Sequence, residues 1–370
     1  MKTLLLSAAI VTAAICGSAP AGATTVATTP YAPKTKTTIA VMGDWPYNQL
    51  LIDNANLLIN SVNADPDVSL LVHVGDIHSG SMACTSANVL PPISSSDPGF
   101  NQKVFSFFQR FRTPVVYTPG DNEWTDCHKS KEFKSGAPLS EIAAVRSLFF
   151  AKPGHTLGLN EMLVNTQAEK FDPAYPSDAQ FVENVIWWDA QTLFVTVDMP
   201  GSNNDTLAWT NGFENDAAHQ KEVIDRNFAA ERWLNAAFQI AIRENMKAIV
   251  IALQADMWDP AAVAPGGDGL NGYSTFVAEL ARLCLIYNKP VLLLNGDSHL
   301  YGADKPLADP NSPTGLIHHT TAVPNLTRIT VQGSTSAPAE WLKLTIDASA
   351  ASPFSWINVP YCKDPLTSCK

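Results

Sequence analysis

The chain has 370 residues, 46% hydrophobic by type and 16% charged, with a formal net charge of −11. That balance excludes a disordered chain or a coiled coil and leaves ample apolar material for one large domain or two small ones. With no Lys/Arg stripe, so acidic a surface also argues against duplex nucleic acid as a partner.

Met1-Lys2, the apolar stretch through Ile15 and the small residues Ala21-Gly22-Ala23 form the three regions of a secretory signal peptide, so residues 1–23 are set apart from the fold. Their removal takes Lys2 with them and moves the charge from −11 to −12. Residues 24–36, rich in Thr, Ala and Pro, read as an extended leader. No later segment is apolar for long enough to span a bilayer, which implies no membrane insertion after cleavage. Of the five remaining cysteines, Cys284 lies in an apolar helical run and reads as a buried thiol. Export allows the others to pair: Cys84 with Cys127, each a few residues after a Gly-Asp turn, and Cys362 with Cys369 around a small C-terminal loop.

In chain order, the pattern predicts a strand at Thr37–Met42, a helix over Leu50–Val62 and a second strand at Val68–Val74. A Ser/Pro-rich loop to about Pro98, the helix Asn101–Phe111 and a third strand beginning at Val115 complete a β-α-β-α-β unit. A helix at Leu139–Phe150 and an irregular stretch to Ser177 lead to a hairpin of Phe181–Trp188 and Thr192–Val197. The long helical pattern Glu214–Met246 places Val223, Phe228, Trp233, Leu234, Phe238 and Ile242 toward the core. Strand Ala248–Leu253, helix Thr275–Tyr287 and strand Val291–Leu294 follow, and Arg328–Val331 and Trp341–Ile346 read as antiparallel strands.

One device recurs. Apolar runs end in Gly-Asp at Asp44, Asp76, Asp121 and Asp297, and in Gln254-Ala255-Asp256 after another strand. A single Gly-Asp is good turn chemistry, but four at the ends of four apolar strands place their carboxylates on one rim of a sheet, where open α/β sheets put their sites. Carboxylates crowded there repel one another unless a cation sits among them. The candidate ligands are Asp44, Asp76, Asp121, Asp297 and His299, with Gln254 or Asp256 from the additional strand end. Trp45, Trp124, Trp258 and Tyr301 fall within a few residues of them and are read as pocket walls for a ring-bearing substrate, whereas Trp187, Trp188 and Trp233 are assigned to the core.

The order of these segments resembles that of the calcineurin-like metallophosphoesterases from about Thr37 to Ile346. The motifs that carry the resemblance are Gly43-Asp44-Trp45, Gly75-Asp76-Ile77-His78, Gly120-Asp121-Asn122-Glu123-Trp124 and Gly296-Asp297-Ser298-His299. The family has Asp-x-His, Gly-Asp, Gly-Asn-His-Asp/Glu, a lone His and Gly-His-x-His around two metals that share an Asp. Asp44 matches the first Asp, Asp76 the shared one and His299 the last His, while Pro46, Asp121, Asn122, Gln254 and Asp297 depart from the pattern. The resemblance implies a four-layer α/β/β/α sandwich of two mixed sheets as one domain over residues 37–346, with 347–370 as a C-terminal extension. It also implies one metal held by Asp44, Asp76 and His299 and a second by Asp76, Asp121, Asp297 and the Gln254 carbonyl. Such an oxygen-rich set favours Mg²⁺, Mn²⁺ or Ca²⁺, with Zn²⁺ or Fe admitted. Since the Asn122 amide cannot give up a proton, leaving-group protonation falls to His78, Glu123 or His128, each with a structural role as the alternative. The expected activity is metal-dependent hydrolysis of a small-molecule phosphate ester by an exported, secreted or periplasmic enzyme; the alternative is a non-catalytic binding or structural protein on the same fold.

Overall fold

The computed structural model describes residues 34–84 and 99–370; the expected signal peptide, most of the expected leader and the Ser/Pro-rich stretch at 85–98 lie outside the described residues. The strands are β1 (Lys36–Met42), β2 (Val68–His73), β3 (Val115–Tyr117), β4 (Asn165–Thr166), β5 (Val185–Asp189), β6 (Thr192–Thr196), β7 (Ala248–Ala252), β8 (Val291–Asn295), β9 (Gly302–Asp304), β10 (Leu326–Thr330), β11 (Ala339–Asp347) and β12 (Phe354–Cys362). They form two mixed sheets, one ordered β12-β11-β1-β2-β3 and the other β4-β5-β6-β7-β8-β10-β9. In the first, β1, β2 and β3 are parallel and β11 and β12 extend the sheet antiparallel. In the second, β6, β7, β8 and β10 are parallel, with antiparallel strands at both edges.

Alternation along the strands builds the layers. Ile39 and Val41 enter one apolar cluster while Ala40 and Met42 enter another; Ile249 and Ile251 likewise part from Val250 and Ala252. The middle cluster, from Ile39, Leu70 and Val72 to Phe194, Leu292 and Leu294, is filled by the facing sides of both sheets. Helices such as Ala55–Ala64 and Phe100–Phe108 cover the outer face of the first sheet, and Asp216–Arg243 and Ser274–Tyr287 cover that of the second. The result is an α/β/β/α sandwich. Both faces of the parallel strands are buried, which is why their sequences run continuously in Val, Leu and Ile.

Several expectations are corrected. The helix predicted over Leu50–Val62 is two, Gln49–Asp53 and Ala55–Ala64, broken at Asn54. Arg328–Val331 and Trp341–Ile346 do not pair: β10 lies in the second sheet, parallel to β8, and β11 lies in the first. Residues 354–362 of the supposed C-terminal extension are the edge strand β12, in register with nearly all of β11. In the long helix Asp216–Arg243, Phe228 (56% exposed) and Ile242 (46%) face outward. The stripe that packs on the sheet is Ala229, Ala230, Trp233, Leu234, Ala237, Phe238 and Ala241, where alanine lets the helix approach closely. Trp188, assigned to the core, is 55% exposed because it follows buried Trp187 on the opposite side of β5.

Both disulfides expected from spacing are present, Cys84–Cys127 and Cys362–Cys369, and Cys284 is a buried free thiol. Among the described residues no helix is long and apolar enough to cross a membrane.

Candidate metal centre

The ends of the parallel strands from both sheets meet at one edge of the sandwich. After β1 and β2 the chain turns at Asp44 (φ 52°) and Asp76 (φ 59°), and the turns are tied by Asp44 N–H to Gly75 O and Trp45 N–H to Asp76 O, both 2.9 Å. The second sheet delivers Gln254 after β7 and Asp297 (φ 72°) and His299 (φ 64°) after β8, with Gly296 N–H bonded to Gln254 O at 3.0 Å. Asp and His tolerate left-handed backbone better than most residues, but four together at one rim is strain concentrated where the ligands lie. Gly120 sits so close beneath the centre that a Cβ there would lie 2.0 Å from Asp76 Oδ1.

Two overlapping sets of donors result. Asp44, Asp76 and His299 bring ligand atoms within 4.8 Å of one another, and so do Asp76, Asp121 and Asp297. Asp76 belongs to both. Asp44 accepts from Asp297 N–H at 3.2 Å and lies 3.2 Å from His299 Nε2 through Oδ1, while its Oδ2 is buried and accepts no hydrogen bond. An orphaned carboxylate oxygen beside an imidazole and a second carboxylate fits a cation, and the oxygen-rich second set fits a hard one.

The electrostatics agree. Burial, then the neighbouring carboxylates Asp121, Glu123, Asp44 and Asp297, hold the Asp76 carboxyl well above the usual range. Asp297 is raised by burial and then by Asp121. Asp121 is raised by burial and Asp126, with Lys131 and Lys129 opposing. Burial lowers the His299 imidazolium, but its hydrogen bond to Asp44 and the charges of Asp44, Asp121 and Asp259 together outweigh this and leave it above the ordinary value.

Gln254 is not placed as a ligand. Its side-chain oxygen accepts the Gly201 N–H, and since that amide can only donate, the Nε2 group must face the carboxylates. Nε2 donates to Asp76 Oδ2 at 3.2 Å and Asp121 Oδ1 at 3.0 Å, bracing the pair. Asp256 pairs with Arg328 and accepts from Ser298 at 2.8 Å, outside both donor sets. Asn122 points inward, donating to Asp76 Oδ2 at 2.9 Å, Tyr47 Oη at 3.2 Å and His78 O at 3.1 Å.

The proton-donor candidates are placed differently. Glu123 is buried and accepts from Ile77 N–H (2.9 Å), Tyr117 Oη (2.8 Å) and Gly120 N–H (3.1 Å), so it clamps the two turns together. His78 is buried against Phe100, and desolvation lowers it to about 4, which keeps it neutral. His128 is also buried, its Nδ1 taken by the Thr210 N–H at 3.0 Å. Neither histidine is an exposed loop residue. His73 is a core residue between Trp45 O and Gly75 N–H.

The aromatic rim does not form. Trp45 and Trp124 are buried in the core over the first sheet and Trp258 in that over the second. Tyr301, 40% exposed, accepts from Trp356 Nε1 at 2.8 Å on the outside of the fold. Trp45 directly follows Asp44, but the backbone turns its ring inward while the Asp44 carboxylate joins the donor set. The cavity that reaches Asp121 and Asp297 measures about 280 Å³ and is polar, with Lys131, Ser202, Asn203, Asp256 and Asp268 in its wall.

Two site residues were not anticipated. Tyr47 Oη lies 2.8 Å from Asp76 Oδ2, 3.1 Å from Asp44 Oδ1 and 3.3 Å from His299 Nε2, at the middle of the first donor set. Its three-residue spacing from Asp44 was the available signal. Ser202 Oγ donates to Asp121 Oδ2 at 2.8 Å and came from a segment with no recognisable motif.

No protein-family model matches the chain, and no curated protein does. Among solved structures, it is similar to GAP50, the anchor in the inner membrane complex of Plasmodium, at 11% identity over 90% of each chain with a TM-score of 0.43.

Proposed function

We propose that the protein is an exported, metal-dependent phosphoesterase of the calcineurin-like class, altered in its ligands but built to hold two hard divalent cations. The observation that carries this is the pair of donor sets joined through Asp76, with the buried Asp44 Oδ2 left without a hydrogen bond. Asp44, Asp76 and His299 would hold one cation, and Asp76, Asp121 and Asp297 the other. When bound, such cations supply an activated water and neutralise charge developing on a phosphoryl group. The two disulfides support export.

The chain's own residues do the positioning. Gln254 and Asn122 hold Asp76 from two sides, and Glu123 locks the turns that carry Asp76 and Asp121. None of Asn122, Glu123 and His78 is arranged to give a proton to a departing alkoxide, and His128 is bonded to Thr210 outside the wall of the cavity. The best substrates are therefore esters or anhydrides whose leaving group is stable as an anion. The same observation favours a second reading, a cation-binding protein without catalysis.

Metal analysis of the purified full chain separates these, followed by assay of aryl, alkyl and pyrophosphate substrates with Mn²⁺, Mg²⁺ or Ca²⁺. Hydrolysis of aryl phosphate or pyrophosphate well above alkyl phosphate supports the enzyme. Bound cation without turnover leaves the binding protein, and no bound cation refutes both.

A further inference from the structure

The segment Gly201–Asp205 winds in the wrong hand. Ser202 (φ 51°, ψ 46°), Asn203 (53°, 39°) and Asn204 (60°, 38°) are followed by Asp205 at φ 54°, four successive left-handed residues none of which is glycine. Such a turn is unfavourable at every residue for L-amino acids. It persists because it is held along its length. Asn203 Oδ1 accepts from Gly272 N–H at 2.8 Å, Asn204 Nδ2 donates to Gly272 O at 2.9 Å, Arg226 donates to Asn204 O at 3.1 Å and Trp209 Nε1 donates to Asp205 Oδ1 at 3.1 Å.

Three of the four residues are Asn or Asp, the types that best tolerate this backbone. Ser202 is not, which directs attention to its hydroxyl. Oγ receives Lys129 Nζ at 2.8 Å and donates to Asp121 Oδ2 at 2.8 Å, at the wall of the cavity above Asp121 and Asp297. The preceding residue governs the other oxygen: Gly201 N–H fixes the Gln254 amide, whose Nε2 donates to Asp121 Oδ1 at 3.0 Å. A side chain at 201 would collide with this arrangement, since a Cβ there would stand 2.7 Å from Asp297 Oδ1 and 3.0 Å from Asp121 Oδ2.

We infer that this left-handed turn is a clamp for Asp121, with Ser202 the positioning residue that, backed by Lys129, orients the Asp121 carboxylate toward the second cation. The inference rests on the proposed cation centre and adds to it a residue outside every ligand motif. A strained turn has a use here because a relaxed right-handed one would carry the hydroxyl away from Asp121.

Two substitutions separate positioning from mere structure. Ser202→Ala removes the hydroxyl and keeps the strain; Ser202→Gly removes the hydroxyl and relieves it. In the chelator-treated full chain, Ser202→Gly is expected to melt about 1–3 °C above Ser202→Ala. Calorimetric titration with Mn²⁺ then reads the binding event that Asp297→Asn abolishes. Both Ser202 variants should bind that Mn²⁺ about 5- to 30-fold more weakly than wild type, the effect of losing one hydrogen bond to a charged ligand, whatever their melting temperatures. Wild-type affinity in both variants overturns the clamp and leaves the cation centre standing, as does affinity that simply follows stability. A wild-type chain that takes up no Mn²⁺ overturns the clamp and the centre together.

Discussion

Asp121→Asn tests the centre most sharply, because a bound cation opposes its effect on stability. Asp121, Asp76 and Asp297 bring ligand oxygens within 4.8 Å of one another. At that distance and an effective dielectric near 20, each fully ionised pair repels by about 3.5 kcal/mol. Asp76 and Asp297 are raised above the ordinary carboxylate range, chiefly by burial. A raised carboxyl stabilises the fold in acid and loses that contribution as pH rises through its folded value, so the repulsion is largest in mild alkali. At pH 8 in chelator, removing the Asp121 charge should therefore stabilise the protein by about 1–3 kcal/mol, discounted for partial protonation of its neighbours. For a chain of this length that is a rise of roughly 1–4 °C in melting temperature. With Mn²⁺ at 1,000 times its dissociation constant, wild type gains about 4 kcal/mol by mass action, and the mutant, lacking one charged ligand, gains less than half as much. The mutant's lead in chelator should shrink by more than about 2 kcal/mol in Mn²⁺, and the two melting curves change order wherever that lead is smaller. Scanning fluorimetry in both buffers measures this. A mutant more stable than wild type in each, with neither protein responding to cations, refutes the metal centre.

Three further outcomes follow from the same geometry. Replacing Cys84 and Cys127 by Ala, which opens a closure of 43 residues, should cost on the order of 3–4 kcal/mol in denaturant unfolding, and loss of less than 1 kcal/mol would show that the bond constrains little. His78, lowered to about 4 by burial, is neutral in the fold, so its contribution is complete above the unfolded value near 6.5 and is lost as pH falls from there toward 4. His78→Phe should remove that term, so the stability difference between wild type and mutant shifts by about 3 kcal/mol between pH 7 and pH 4, and a difference that stays flat with pH contradicts the assignment. Gly120→Ala, whose Cβ would meet Asp76 Oδ1 at 2.0 Å and Gln254 Cγ at 2.7 Å, should displace Asp76 and weaken Mn²⁺ binding at least about tenfold in calorimetry. Unchanged affinity would mean that the wall under Asp76 is free to move.

Much of this protein is legible in its sequence because two of its signals are local. Continuous Val, Leu and Ile runs mark strands buried on both faces, and Gly-Asp at their ends marks where the chain turns, so the sequence alone locates Asp44, Asp76, Asp121 and Asp297. The spacing of the cysteines likewise gave both disulfides. What remained hidden depends on direction and on distant neighbours. Trp45 and Trp124 sit next to site residues along the chain, yet which way a ring turns is decided by backbone torsion and by the space over the first sheet. Whether Gln254 presents oxygen or nitrogen is decided by the Gly201 N–H, 53 residues away. The pairing partners of β10 and β11 depend on which sheet has an open edge, a property of the assembled sandwich and not of either segment. Ser202 reaches Asp121 only through a left-handed turn that contacts with Gly272, Arg226 and Trp209 hold in place; the tolerance of Asn203, Asn204 and Asp205 for that backbone does not by itself produce the turn.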